Sequence, residues 1–562
     1  MKRYVLLALA LLFAACSVIN KPDDVLRPKP KPGSSSSSSS SGVAGDSGTP
    51  AECPNGQKET GEECDEGGNT ESCDEDCTLP ECGDSLLNPN AGEKCDDGGE
   101  TPKCNADCTP AQCGDKTTNK SAGEECDEGK GVKEGESIET ATCNTDCTAA
   151  KCGDGKLNKT AGEECDDGGL NPGDACSKEC KPSPFVIDGP NVAPSIEGVA
   201  PVVAAATKDD APHFLVTWRR DNGNVASLHF AYYTPQGKVA VNATKLSTTT
   251  AVQEHDVAVN GDGRALAVWR RADDQGVDSL RYRSIKKDGT ADGIDDKFTQ
   301  GAAPRSHVSV AASTDSEFCA SWIQPIADID TVHARCFDKD GVPKAGQPQA
   351  VGAADDSFYP AQRTQRIWKA KSGGYTVSWI DPQKGKLVGH VINKSGGLDG
   401  FPFDISGLSA DTADPAGFSA GAGPFVSAFS VFDFHGKNVQ KWRVLFQMFA
   451  APGNPSGSNT LASPDHVDEQ APYIVGNATG SFLLVWDSTD QGKCTIRAHL
   501  YDSSAKPQGD VMNVSAPKAN ECDRLPRGAV DVDGNVMIVW AHTPGPNQPA
   551  AVQAVLYPGL LP

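Results

Sequence analysis

The sequence predicts a mainly β chain, in which four small disulfide-rich repeats precede a seven-bladed β-propeller closed by its N-terminal strand. Three observations predict it. Sixteen of the 21 cysteines fall between residues 53 and 180, in four sets of four. From residue 183 onward, an apolar run ending in an aromatic residue recurs seven times. The 58 Gly and 39 Pro against four Met in 562 residues disfavour a large helical protein and favour turn-rich β structure.

The chain opens on Met1-Lys2-Arg3 and the apolar run Tyr4 to Phe13, then Ala14-Ala15-Cys16. The run is too short to span a bilayer and has signal-peptide flanks. Small residues before Cys16 resemble a bacterial lipobox, with Phe13 standing where Leu is usual. That resemblance implies a lipoprotein signal over residues 1–16 and diacylation of Cys16. Ser17 in place of Asp then implies the outer membrane or cell surface, with the membrane as partner through the anchor. Residues 17–50 carry Arg27-Pro28-Lys29-Pro30-Lys31-Pro32 and the run Ser34 to Ser41, the composition of a disordered tether.

Residues 51–182 form the repeat region. The sets are Cys53, Cys64, Cys73, Cys77; Cys82, Cys95, Cys104, Cys108; Cys113, Cys126, Cys143, Cys147; and Cys152, Cys165, Cys176, Cys180. The last gap in each set is constant and only the gap between second and third cysteines varies freely. The fullest copy reads Cys152-Gly153-Asp154-Gly155, then Gly162-Glu163-Glu164-Cys165-Asp166-Asp167-Gly168-Gly169, then Cys176-Ser177-Lys178-Glu179-Cys180. This resembles the cysteine-rich disulfide repeat common in myxobacterial surface proteins. Units of about 30 residues with so few apolar side chains cannot fold by burial alone, so two bridges each are expected in an oxidising compartment. Three connectivities per unit remain open.

Residues 51–180 hold 33 Asp/Glu, 11 Lys and no Arg or His, nearly all of the chain's net charge of −25. That balance excludes nucleic acid as the main partner. The pairs Asp65-Glu66, Asp96-Asp97, Asp127-Glu128 and Asp166-Asp167 are candidate Ca²⁺ ligands, joined by Asp84, Asp115 or Asp154. Solvated acidic loops are the plainer expectation, and no other cofactor is expected.

Residues 183–562 carry the longer repeat. Its aromatic positions are Trp218, Trp269, Trp322, Trp379, Phe429, Trp486 and Trp540. A second alternating segment and a Gly/Asp/Pro turn usually follow each, which indicates four-stranded blades. Phe185-Val186-Ile187 is expected to add to the last blade beside Ala551 to Tyr557, closing the ring. The aromatic row is expected to pack blade against blade. Cys319 with Cys336, and Cys494 with Cys522, are expected disulfides.

Loops at the rim carry Arg219, Arg220, Asp221, Arg270, Arg271, Asp273 and Asp274, and the inner-strand entrances add Glu254, His255, Arg305, His307, Asp414, Glu469, Asp523 and Arg524. The repeated Trp-Arg-Arg suggests planar forks for a carboxylate or sulfate; the plainer reading is loop charges balanced by nearby Asp. The ligand-binding candidates are Arg219, Arg220, Arg270, Arg271, Glu254, His255, Arg305 and Asp523. No Gly-x-Ser-x-Gly, His-Glu-x-x-His or phosphate-loop motif occurs. The expectation is therefore a monomeric, non-enzymatic surface lipoprotein recognising an extracellular glycan or protein. Its alternative is a secreted polysaccharide hydrolase or lyase with rim carboxylates, and the two differ in whether a raised carboxyl and a second carboxylate share a cleft.

Overall fold

The computed structural model describes residues 53–561 apart from 54, 129–138, 171–174, 193–199, 207–212, 223–224, 249–250, 273–277, 300–302, 305, 314–315, 347, 355–363, 371–372, 409–411, 420–424, 434–440, 464–466 and 546–547. The expected signal over residues 1–16, Cys16 and the expected tether over 17–50 lie outside the described residues, as do Asp273, Asp274 and Arg305. Two compact units are present. The first spans residues up to 81 with Asn88–Gly92; the second holds Cys82–Leu87 and Glu93–Pro562.

Each cysteine set pairs its first member with its fourth and its second with its third. The bridges are Cys53–Cys77 with Cys64–Cys73, Cys82–Cys108 with Cys95–Cys104, Cys113–Cys147 with Cys126–Cys143, and Cys152–Cys180 with Cys165–Cys176. The fourth cysteine is left-handed in every set, with φ from 52° to 68°. Buried asparagines join neighbouring turns. Asn119 Nδ2 donates to the Thr101 and Cys104 carbonyls and to Asn105 Oδ1, and Asn158 repeats this with Thr140, Cys143 and Asn144. Within the first unit, Asn88 bonds Thr70, Cys73 and Asp74 in the same way.

Composition divides the chain near residue 182, yet the second unit includes the third and fourth repeats and most of the second. Packing explains the difference: Ala175 of the last repeat is buried in a core cluster with Phe185 and Tyr233. The described residues contain no α-helix, only two single-turn 3-10 segments in the repeats and the strands that follow.

The strands form antiparallel meanders. Four are separate four-stranded sheets. β1 (Phe185–Val192) leads the domain, and β2 (Val202–Ala205), β3 (Phe214–Asn222), β4 (Val225–Tyr233) and β5 (Val239–Lys245) follow. The first separate sheet is β6 (Val252–Val259), β7 (Ala265–Ala272), β8 (Asp278–Ile285) and β9 (Asp296–Lys297). The second is β10 (Ser306–Ala312), β11 (Phe318–Ile326), β12 (Ile329–Phe337) and β13 (Gln349–Ala353). The third is β14 (Gln365–Lys369), β15 (Tyr375–Asp381), β16 (Lys386–Ile392) and β17 (Leu398–Asp404). The fourth is β18 (Thr412–Ser419), β19 (Phe425–Asp433), β20 (Lys441–Ala451) and β21 (Asn454–Leu461).

The chain ends on β22 (Asp468–Gly476), β23 (Phe482–Asp490), β24 (Lys493–Tyr501), β25 (Pro507–Asn513), β26 (Cys522–Val530), β27 (Val536–Thr543) and β28 (Ala550–Tyr557). These join β1–β5 in a twelve-stranded sheet. Two single-pair links hold that sheet together: Cys494↔Cys522 between β24 and β26, and Val192↔Arg220 between β1 and β3. β1 pairs with β28, so the start of the domain lies against its end. Asp188 of β1 reinforces the junction by accepting from both Arg220 Nε and Nη2 at 2.8 Å and from Trp218 Nε1.

Residues of β2, β6, β10, β14, β18, β22 and β26 all line one channel of about 280 Å³. The row from Trp218 to Trp540 stands on the strands behind these, each side chain at most 2% exposed, so the aromatics fill the space between sheets. Glycine is required where the inner strands crowd: a Cβ on Gly417 or Gly476 would lie 2.2 or 2.3 Å from the ring of Trp368 or Phe418. The inner strands also share a bulge near their start. The register shifts between Ser306/Ser309, Ala413/Ala416, Gln470/Tyr473 and Arg524/Arg527, with His307, Asp414, Ala471 and Leu525 left-handed there. Cys319–Cys336 joins directly opposed residues of β11 and β12, and Cys494–Cys522 joins β24 to β26.

Candidate functional site

The arginine forks are already occupied. Arg219 holds Asp221, Arg220 holds Asp188, and Arg270 bonds Glu254 at 2.8 Å and Asp278 at 2.6 Å. Arg271 is half-buried and partnered too. Glu254 and His255 are buried, and Asp523, 1% exposed, faces His542 Nδ1 at 2.7 Å. Of the expected ligand-binding side chains, Arg219, Arg220 and Arg270 each have an acid close by that takes donors of the guanidinium. Asp188, which takes Arg220, comes from the leading strand and was not legible as a neighbour.

Several inner carboxylates serve the bulges. Asp256 Oδ2 accepts from Ser309 Oγ and Val310 N, Asp414 Oδ2 from Ser430 Oγ and Ala471 N, and Asp487 Oδ2 from Leu525 N. Each reaches the next inner strand, where the bulge has removed a ladder partner from a buried amide. Burial pushes the Asp487 carboxyl up to about 7, opposed by the Arg524 guanidinium. Arg524 in turn donates to the sulfurs of Cys522 and Cys494 at 3.2 and 3.7 Å.

Glu469 is different. It stands opposite Ser488 in the β22–β23 ladder, so the two side chains share a face of the sheet. On that face a cavity of about 530 Å³ is lined by Val467, Ser488, Asp490, Lys493, Thr495, Arg497 and Asn513. Glu469 is fully buried, with Arg443 Nε 3.8 Å away. Burial pushes its carboxyl up to about 7 against the pull of Arg443 and Arg497. Asp490, two residues beyond Ser488 on the same face, is exposed. The polar cavity thus presents one exposed carboxylate, Asp490, and Glu469, the cross-strand partner of its lining residue Ser488, is a buried carboxyl with a raised pKa. A larger cavity, about 570 Å³, lies among Phe401, Phe403 and Phe425, and among the described residues Asp399 is the one charged group lining it.

Glu469 was visible in the sequence as an entrance residue. Asp490, Lys493, Arg497 and Asn513 were not singled out, and alternation along the apolar run after Phe482 was the signal that could have placed Ser488 and Asp490 together.

In the repeats, sequence-adjacent acids diverge. Asp65, Asp96, Asp127 and Asp166 accept backbone amides after the first cysteine; Asp166 alone takes Gly153, Asp154, Gly155 and Gly168. Glu66 turns to Thr70 and Ser72, Asp97 to Thr101, Glu128 to Thr142, and Asp167 to the amides of Gly169 and Cys176. The expected ligand pairs do not converge, because neighbours on an extended loop point apart.

No family model and no curated protein matches the chain. Among solved structures it is similar to an α-L-arabinanase of Penicillium chrysogenum complexed with arabinobiose, at 13% identity over 54% of this chain and 93% of that one, TM-score 0.39. It is also similar to an α-L-arabinofuranosidase of Fusarium graminearum with an iminosugar inhibitor, at 14% identity, 54% and 92% coverage and TM-score 0.38. A protein of unknown function from Dyadobacter fermentans gives 11% identity, 67% and 99% coverage and TM-score 0.38. The expectation of a non-enzymatic recognition protein is corrected. Two of these three neighbours are glycosidases by name, against that expectation. The ten disulfides mark an exported protein.

Proposed function

We propose that the β domain is a glycan hydrolase whose cleft is the cavity lined by Ser488, Asp490, Thr495 and Arg497, with Glu469, the cross-strand partner of Ser488, as its acid. The observation that supports it is a buried carboxyl raised to about 7 at Glu469, paired across the ladder with Ser488, which lines a polar cavity together with the exposed carboxylate of Asp490. In this reading Glu469 donates its proton to the leaving glycosidic oxygen. Asp490 assists water at the sugar carbon, taking the proton that water loses. Ser488, Thr495, Arg497 and Asn513 supply the donors and acceptors that a polyhydroxylated ligand requires. Arg443 keeps Glu469 in place from the preceding sheet.

The test is release of reducing ends from a polysaccharide panel that includes arabinans and sialylated glycans. Turnover is expected, with Glu469→Gln lowering kcat by about 10²–10⁴-fold, the range of general acid catalysis. No product from any glycan, or wild-type turnover by the variant, rejects the reading.

Two further proposals concern architecture. The sheets are read as seven blades closed by β1, supported by the β1–β28 pairing and by the inner strands that share one channel. Cys16 is read as a lipid anchor at the outer membrane or cell surface, supported by the lipobox-like segment before it. An intact mass showing an unmodified Cys16 after export would remove the anchor.

A further inference from the structure

Each cysteine-rich repeat gathers a second pair of acids, three residues apart, around its buried disulfide. They are Glu62 with Asp65, Glu93 with Asp96, Glu124 with Asp127, and Glu163 with Asp166, each pair offering oxygens within 4.8 Å of one another and of a cysteine sulfur. The sulfurs are tied in disulfides and supply no thiolate. Acids alone are no argument for an ion, since Asp166 spends both oxygens on backbone amides.

The third repeat departs from this. Asp127 is 8% exposed; its Oδ2 accepts from the amides of Gly114 and Lys116 at 3.1 Å, while Oδ1 is buried with no hydrogen-bond partner. Beside it Glu124, 7% exposed, commits Oε2 to the amide of Asn119 at 2.7 Å. Asp115 adds a third carboxylate, close enough to share a hydrogen bond with the Asp127 carboxyl and to repel its charge. The first repeat shows a related feature, for Glu62 Oε2 accepts from Glu59 N while Oε1 is buried and unpartnered. A buried carboxylate oxygen that faces other carboxylates and no donor is costly unless a cation or a shared proton lies there.

We propose that the third repeat binds a divalent cation of the Ca²⁺ class between Glu124 and Asp127. Oxygens on one Ca²⁺, each at about 2.4 Å, are at most about 4.8 Å apart, which this pair satisfies. The donor set is all oxygen, so a hard cation fits better than a thiophilic one, and water completes the shell.

The experiment is calorimetric titration of the full chain, purified with its disulfides intact and stripped with chelator, using CaCl₂, with Tb³⁺ luminescence alongside. Saturable binding is expected. Asp127→Asn, whose amide oxygen can still accept from Gly114 and Lys116, is expected to lose one site or weaken binding at least tenfold. Glu128→Gln, which touches Thr142 rather than the pair, is expected to leave binding unchanged. Should Asp127→Asn not fold, Glu124→Gln replaces it. No heat and no luminescence in the wild type would assign the vacant oxygen to a shared proton and overturn the proposal, as would undiminished binding by the variant.

Discussion

At the scale of single residues, the repeats are held by side chains that finish what the backbone leaves undone. Asn158 is 1% exposed, accepts from Ala161 N and donates to two carbonyls and to Asn144 Oδ1. Asn158→Ala strands those groups, and a loss of about 2–3 kcal/mol is expected, since buried unsatisfied groups cost about 1–3 kcal/mol. A lowered denaturation midpoint with disulfides intact checks it, and an unchanged midpoint denies the asparagine its joining role. The sequence displayed Asn88, Asn119 and Asn158 at matching points of successive repeats, but nothing in spacing says that an amide reaches into the preceding turn. The acids were misread for a similar reason. Asp127 and Glu128 are neighbours in the chain, yet Asp127 shares its surroundings with Glu124, three residues earlier, because the intervening loop turns back. The arginines of the Trp-Arg-Arg runs were legible as charges and not as pairs, since Asp188 lies 32 residues before Arg220.

At the scale of elements, alternation and turn residues located most strands. The expected Ala551–Tyr557 strand is β28 with one more residue, and the expected Phe185–Ile187 segment begins β1. The bulges were not legible: they depend on His307, Asp414, Ala471 and Leu525 adopting left-handed backbone under the pull of packing around the channel. Pairing of β1 with β28 is open to a direct check. Val186 and Gln553 are Cα partners, and Val186 is exposed. Val186→Cys with Gln553→Cys is expected to form a disulfide on oxidising export, seen as a linked peptide by mass spectrometry. Two free thiols in the folded protein would place the leading strand elsewhere.

At the scale of the whole molecule, two sources of stability share the chain. The acidic repeats depend on eight disulfides and on carboxylates that accept amides, whereas the β domain depends on buried aromatics between sheets. This division was legible from composition. The proposed function was not, because the cavity is lined from β23, β24 and β25, and the raised carboxyl of Glu469 is set by burial rather than by any motif. The most direct measurement is the pH dependence of kcat on whichever glycan is turned over, for the wild type and Glu469→Gln together. Glu469 must carry a proton and Asp490 must be ionised to act, and the Glu469 carboxyl is raised to about 7, so the rate is expected to fall as pH rises through about 7, and that alkaline limb to be lost in the variant. A rate indifferent to pH across that range, or a Glu469→Gln protein as active as the wild type, would contradict the account.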